Sequence, residues 1–116
     1  MKSHYGDIKV TKLPGFVVQC EIDRPPNNFF DLILVRDMAD CFDDLDEDPN
    51  CRAIVLCANG KHFCAGANFS TPDQTAEGDV LAAESAEQRN PIYQEAVRLF
   101  GNKKPIVAAV QGAAVG

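Results

Sequence analysis

The sequence has no apolar run near the roughly 20 residues that a membrane-spanning helix needs. Its first seven residues contain no apolar stretch of the kind found in secretory signal peptides. Basic residues are few, 11 against 17 acidic ones, and the formal net charge is −6. Because nucleic acids and anionic membranes are bound through Lys and Arg, this balance argues against a binder of either. We therefore expect a cytoplasmic protein.

The sequence also lacks the spacing of cysteines and histidines that is typical of metal sites. No Cys-x-x-Cys pair occurs, and the two histidines, His4 and His62, lie far apart along the chain. We therefore predict no metal site. The cysteines are odd in number and mostly lie in apolar segments, which favours free thiols over disulfides.

Hydrophobic residues make up 46% of the chain and charged residues 24%, which is typical of a folded globular domain. Alternation of apolar and polar residues predicts strands at 8–13 and 16–22, joined by the turn-forming pair Pro14-Gly15. Prolines within residues 24–28 end the second strand, because proline removes backbone donors. These segments together predict a β-hairpin with one polar face.

Helical spacing of apolar residues predicts a helix over residues 31–47, with aspartates on the opposite face. The apolar run 53–58 predicts a parallel strand buried between layers and reached through a β-α-β crossover. Asn90 and Pro91 are typical of the start of a second helix, which Gly101 would end. Its predicted apolar stripe consists of Ile92, Ala96, Leu99 and Phe100.

A second buried strand is predicted at 106–110, followed by the small-residue loop 111–116. The order of elements indicates α/β architecture. Because a helix usually follows such a loop, we expect residues 1–116 to be the N-terminal part of a single domain that is truncated at its C-terminus. The acidic segment 72–89 is predicted to be a solvated surface without catalytic carboxylates.

The loop at residues 60–68 follows directly on strand 53–58, at the sheet edge where open α/β sheets tend to bind ligands. Gly66 allows unusual backbone angles, and the small residues Ala65 and Ala67 are expected to leave their N–H groups accessible. Two converging N–H groups would stabilise the oxyanion that forms when a thioester enolises. The same composition also suits a tight turn that serves packing alone, so both interpretations stay open.

Three motifs resemble those of one known family. Residues 60–68, Gly-Lys-His-Phe-Cys-Ala-Gly-Ala-Asn, resemble the first oxyanion-hole motif of the crotonase superfamily, the enoyl-CoA hydratase/isomerase family. Residues 22–28 resemble its Arg-Pro-x-x-Asn turn, and residues 104–112 resemble its Lys-Pro-x-x-Ala-x-x-x-Gly strand. The resemblance implies a crotonase-like (ClpP/crotonase) α/β fold with a repeated β-β-α core.

The resemblance also implies roles for single residues. Ala67 would supply the first oxyanion N–H from its backbone, Gly66 would permit that geometry, and Ala65 would face the adenine end of coenzyme A. The coenzyme channel would be lined by Pro26, Asn27 and Phe29. The wall of the acyl pocket would begin with Asn68 and Phe69, and the second oxyanion loop would contain Gly112 and Gly116.

Two other side chains of the loop invite a catalytic role. We expect His62 to be exposed, or to lie near the coenzyme phosphates with Lys61. We expect Cys64 to be a small packed thiol, because no basic partner that would activate it is evident.

The reaction implied first is addition of water to a 2-enoyl-CoA, with coenzyme A as part of the substrate and no permanently bound cofactor. In the family the second N–H donor directly follows the position of Gly116, and the catalytic carboxylates lie further along. Double-bond isomerisation, acyl-CoA hydrolysis and dehalogenation use the same hole, so they stay open, as does a non-catalytic acyl-CoA-binding protein. The family generally assembles as trimers or pairs of trimers, which we expect of the whole protein.

Overall fold

The structure is a computed structural model that describes residues 2–66 and 91–115. The predictions for the acidic segment 72–89, for Asn90 as a helix cap and for Gly116 lie outside the described residues. The elements, in chain order, are β1 (His4–Tyr5), β2 (Ile8–Leu13), β3 (Val17–Ile22), α1 (Leu32–Asp46), β4 (Ala53–Ala58), α2 (Pro91–Leu99) and β5 (Ile106–Ala108).

The strands form one sheet in the order β1-β2-β3-β4-β5. β1, β2 and β3 are antiparallel neighbours, whereas β3 pairs with β4, and β4 with β5, in parallel. The predicted hairpin and the predicted β-α-β crossover are both confirmed. Strand β1 was not predicted, because two residues are too few to show a periodicity.

Helix α1 begins after Asp31, whose side chain accepts a hydrogen bond from the backbone N–H of Leu34 at 2.9 Å. This cap satisfies a donor that a helix N-terminus otherwise leaves unpaired. The helix packs its apolar face on the inner face of the hairpin, where Val18, Cys20 and Ile22 are fully buried. The predicted helix and the predicted inner face of the strand are therefore confirmed.

The cysteines are free thiols in the structure, as predicted. Cys20 and Cys41 meet in the core with their sulfur atoms 3.7 Å apart. That separation is well beyond the ~2.05 Å of a disulfide bond.

Burial of β4 and β5 differs from the prediction. In β4 only Ile54 is fully buried, and the remaining residues of the strand are partly exposed. β5 is shorter than predicted, and Val107 is 64% exposed. The prediction was wrong because a parallel strand is buried on both faces only when layers cover both. Within the described ranges, β5 lies at the edge of the sheet.

Helix α2 packs against α1 through Ile92, Ala96 and Leu99, three residues of its predicted apolar stripe. Phe100 does not join this stripe and is 88% exposed. The helix ends at Leu99, and the N–H of Phe100 bonds to the carbonyl of Val97 in a tight turn. That turn carries the Phe100 side chain away from α1, so its prediction as a core residue was wrong.

Ion pairs also hold α2 against α1. Arg98 reaches the carboxylates of Asp40 at 2.8 Å and Asp43 at 2.6 Å. Neither helix in the described ranges has both the length and the apolar character of a membrane span.

Candidate functional site

Three loops meet at one edge of the sheet. Strands β3, β4 and β5 run parallel, so their carboxyl ends lie side by side. The chain leaves these ends through the β3 loop (residues 23–31), the β4 loop (residues 59–66) and the β5 loop (residues 109–115). Ligands of open α/β sheets bind at such an edge.

Asn28 joins two of the loops. It is fully buried, and its φ of +53° lies in the left-handed region, which Asn adopts more readily than most residues. Its side-chain amide donates to the carbonyl oxygens of Asn59 and His62, both at 2.7 Å. Its side-chain oxygen accepts from the backbone N–H of Arg24 at 2.8 Å. One buried side chain therefore fixes the β3 loop upon the β4 loop.

Arg24 anchors the other side of the β3 loop. Its guanidinium donates to Asp7 at 2.7 Å, pairs with Asp31 at 3.0 Å and donates to the carbonyl of Phe29 at 3.2 Å. Burial lowers the pKa of Arg24, but the hydrogen bonds to Asp31 and Asp7 outweigh it and raise the pKa above its ordinary value. Arg24 thus stays charged and ties the loop to the cap of α1.

The predicted coenzyme-channel residues of the β3 loop lie at the surface of this junction. Pro26 is exposed, Phe29 is 41% exposed and Asn27 is half-buried. The carbonyl of Asn27 accepts the N–H of Ala65 at 3.0 Å. The structure therefore brings these residues beside the β4 loop, and their contact with coenzyme A stays a prediction.

The β4 loop closes tightly around Gly66. Gly66 is buried with φ of +103°, its carbonyl accepts from the N–H of Phe30 at 2.9 Å, and its N–H points to the sulfur of Cys64 at 3.3 Å. The expectation that the N–H of Ala65 is accessible was wrong, because Asn27 occupies it. The contact of Ala65 with the adenine end of coenzyme A stays a prediction.

The β5 loop runs alongside the β4 loop in parallel. The N–H of Phe63 donates to the backbone carbonyl of Gln111 at 2.9 Å, and the N–H of Cys64 donates to the carbonyl of Ala113 at 3.1 Å. The N–H of Val115 returns to the carbonyl of Cys64 at 2.9 Å. The side-chain amide of Gln111 also donates to the carbonyl of Ala58 at the end of β4, at 2.8 Å, and to that of Gly60 in the β4 loop, at 3.0 Å.

Gly112 lies where the two loops approach most closely. Its φ is +59°, and a β-carbon there would lie 2.3 Å from the carbonyl oxygen of Lys61. Only a residue without a side chain fits this contact, which explains a glycine at the position.

Replacing Gly112 with alanine is therefore expected to lower the free energy of unfolding by roughly 2 to 3 kcal/mol. Gly101→Ala is the matched control, because a β-carbon at Gly101 would lie an ordinary 3.4 Å from the carbonyl oxygen of Arg98. Urea denaturation of both variants measures the difference. Equal stabilities would contradict the close approach of the loops.

His62 and Cys64 have structural partners within the site. The ring nitrogen Nδ1 of His62 lies 3.0 Å from the backbone nitrogen of Ala113, and the side chain is half-buried. His62 is not the exposed loop histidine of the first expectation, because the β5 loop covers one edge of its ring. The alternative position near the coenzyme phosphates stays a prediction. Cys64 is buried, with its sulfur 3.6 Å from the carbonyl of Val115, so the predicted packed thiol is confirmed.

Among the described residues, no group of three or more His, Cys, Asp and Glu side chains is arranged to hold a metal ion. The nearby carboxylates already have polar partners. Asp7 and Asp31 pair with Arg24, and Asp23 accepts from the side-chain amide of Asn59 at 2.9 Å. These three carboxylates are therefore engaged within the protein.

Comparison with known proteins agrees with this geometry. Residues 13–116 match the model of the enoyl-CoA hydratase/isomerase family. The chain belongs to this family.

Several family members are similar to the chain. The mitochondrial Delta(3,5)-Delta(2,4)-dienoyl-CoA isomerase of Homo sapiens is 31% identical over 119 residues, covering 97% of this chain and 36% of its own length. Carnitinyl-CoA dehydratase of Proteus mirabilis is 32% identical over 103 residues, covering 88% of this chain and 37% of its own length. The chain thus spans little more than a third of the curated relatives that it matches.

Solved structures share the crotonase fold. The crystal structure of an enoyl-CoA hydratase from Shewanella pealeana matches with a TM-score of 0.73 and 27% identity, covering 96% of this chain and 40% of that one. The α/β crotonase-like fold predicted from the motifs is confirmed.

The predicted site residues Ala67, Asn68, Phe69 and Gly116 lie outside the described residues, so their family roles stay predictions. The structure does place their neighbours Gly66 and Val115 at the common edge. Sequence reasoning missed Asn28 as a member of the site. Its signal was present, because it is the asparagine that ends the family's Arg-Pro-x-x-Asn turn.

Proposed function

We propose that the whole protein is an acyl-CoA enzyme of the hydratase type. It would bind a coenzyme A thioester at the edge formed by the β3, β4 and β5 loops and add water to a 2-enoyl-CoA. The observation that supports the proposal is the conformation of Gly66, buried at φ +103° directly before Ala67, in a chain of this family.

Ala67 is proposed to donate its backbone N–H to the thioester oxygen. Gly66 is held on both sides, because its carbonyl, in the same peptide as the N–H of Ala67, accepts from Phe30, and its own N–H donates to the sulfur of Cys64. A donor fixed before the substrate arrives stabilises developing negative charge without a cost of reorganisation. The half-buried Asn27 and the exposed Pro26 and Phe29 are proposed to line the coenzyme channel.

The acid and base of hydration are proposed to lie outside this chain. Hydration needs a proton donor and a base placed across the double bond. Asp7, Asp23 and Asp31, the acids around the β3 loop, are engaged with Arg24 and Asn59. The 116-residue chain alone is therefore expected to show no hydratase activity. Turnover by the purified chain, free of longer products, would contradict this assignment.

Double-bond isomerisation is the second candidate. Dienoyl-CoA isomerases of human and orang-utan (Pongo abelii) are 31% identical to the chain over 97% of its length. An isomerase would use the same oxyanion donors, because its reaction also passes through an enolised thioester. Acyl-CoA hydrolysis, dehalogenation and acyl-CoA binding without catalysis are less favoured, because the similar proteins are named as isomerases, probable hydratases and a dehydratase.

Assays of the whole protein with two substrates separate the candidates. A hydratase bleaches the absorbance of a conjugated 2-enoyl-CoA, and the product gains the mass of one water. An isomerase shifts the absorbance of a 3,5-dienoyl-CoA with no change in mass. Hydration of the 2-enoyl-CoA is the expected result, and turnover of the dienoyl-CoA alone would replace the hydratase proposal with the isomerase.

Assembly as a homotrimer or a pair of trimers, residence in the cytoplasm and absence of a permanently bound cofactor are proposed for the whole protein. Similar proteins are named mitochondrial and peroxisomal, so localisation needs its own measurement. Sedimentation of the whole protein tests the assembly, and fluorescence microscopy of the tagged whole protein tests the compartment.

A further inference from the structure

We propose that His62 is a positioning residue whose neutral imidazole holds the β5 loop in register with the β4 loop. Its role in turnover rests on the proposed function, because the two loops frame the thioester there. The structural part stands on the hydrogen bond between the ring and Ala113.

The hydrogen bond defines the tautomer of the His62 ring. The backbone nitrogen of Ala113 lies 3.0 Å from Nδ1 of His62, and a backbone N–H can only donate. Nδ1 must therefore carry a lone pair, which places the ring proton on Nε2. Without His62, the N–H of Ala113 loses this partner.

The backbone of His62 is itself held by the β3 loop. The carbonyl of His62 accepts from the side chain of Asn28 at 2.7 Å, and Asn28 is fully buried. The backbone of His62 is thus fixed before its ring reaches Ala113. Asn28, His62 and Ala113 form a continuous path of hydrogen bonds through all three loops.

Close packing around the ring makes the position of the β5 loop depend on this hydrogen bond. Gly112 packs on the carbonyl of Lys61, where a β-carbon would lie 2.3 Å away and 2.8 Å from Nδ1 of His62. The peptide from Gly112 to Ala113 therefore lies directly on the ring edge. On the far side of Ala113, its carbonyl accepts from the N–H of Cys64 at 3.1 Å. Loss of the ring therefore removes the hydrogen bond of the Gly112–Ala113 peptide, while the next peptide stays bonded to the β4 loop.

Three variants of the whole protein test the proposal. His62→Ala removes the acceptor, and His62→Asn restores one, because Oδ1 of asparagine can occupy the place of Nδ1. His4→Asn is the matched control, since His4 lies in β1 and its side chain meets Ser3 at 3.2 Å. Circular dichroism establishes that each variant is folded.

The first readout is turnover of the acyl-CoA substrate that the wild type accepts. His62→Ala is expected to lower kcat by about tenfold to a hundredfold, the effect of a small misplacement of a catalytic loop, with KM changed much less. His62→Asn is expected to recover most of kcat, and His4→Asn to match the wild type. Equal impairment of His62→Asn and His62→Ala would overturn the role of Nδ1 as the acceptor.

The second readout is amide hydrogen exchange of the peptide that contains residues 111–115, and it needs no activity. In His62→Ala the amide of Ala113 is expected to exchange roughly five- to tenfold faster, the ratio for one lost hydrogen bond. His62→Asn is expected to restore protection. Unchanged exchange in His62→Ala would overturn the proposal. A wild type without thioester turnover would instead refute the proposed function, and exchange would still decide the role of His62.

Discussion

Replacing Gly66 with valine is expected to reduce turnover of acyl-CoA by the whole protein at least about 100-fold, the cost of losing one oxyanion donor. A β-branched residue is strained at φ +103°. Relief by rotation would break the bond between the carbonyl of Gly66 and the N–H of Phe30. The N–H of Ala67 would then point elsewhere. Steady-state kinetics with the preferred acyl-CoA measures the loss.

Gly15→Val is the matched control for this prediction. Gly15 has φ of +80° in the turn between β2 and β3, at the end of β3 opposite the site, and a β-carbon there meets no atom within 4 Å. Valine at this position has the same kind of backbone strain, about 1–3 kcal/mol, but does not contact the three loops of the site. We expect lower stability with normal turnover. Normal turnover in Gly66→Val would refute the assignment of the β4 loop.

Replacing Asn28 with alanine is expected to lower the free energy of unfolding by about 3 kcal/mol or more. The substitution leaves the carbonyls of Asn59 and His62 and the N–H of Arg24 without the partner that Asn28 gives them. Alanine also tolerates a φ of +53° less well than asparagine. Urea denaturation of the chain measures the change.

Two controls separate the causes. Asn28→Gly accepts the backbone angle but makes no side-chain bonds, so it should recover only the conformational part of the loss. Asn27→Ala changes the neighbouring asparagine, which bonds to Ala65 through its backbone carbonyl, and should cost no more than about 0.5 kcal/mol. If Asn28→Ala and Asn27→Ala were equally stable, the described network would not hold the loops.

Local patterns predicted most of the fold. The alternation in β2 and β3, the turn at Gly15 and the helical spacing after Asp31 each act over a few residues, and each was confirmed. Burial of β4 and β5 was predicted wrongly, because it depends on what covers the second face of the sheet. Phe100 was misplaced because one residue of difference at the end of α2 moves its side chain to another face.

The motifs in the sequence predicted where the site lies, but not the contacts within it. The family turn, the glycine loop and the Lys-Pro strand motif located the three loops, but no local pattern reveals that Asn27 accepts the N–H of Ala65. The hydrogen-bond partner of His62 was not predicted either, because Ala113 lies about fifty residues further along the chain. Contacts between distant loops require the sheet register, which aligns the ends of β3, β4 and β5.

The most direct test of the account is a crystal structure of the whole protein with a bound, unreactive acyl-CoA. We expect the thioester oxygen about 2.7–3.1 Å from the backbone nitrogen of Ala67, the distance of an oxyanion-hole donor. The coenzyme should lie along the β3 loop beside Pro26 and Phe29. A thioester bound away from the β4 loop, with its oxygen out of reach of Ala67, would contradict the account.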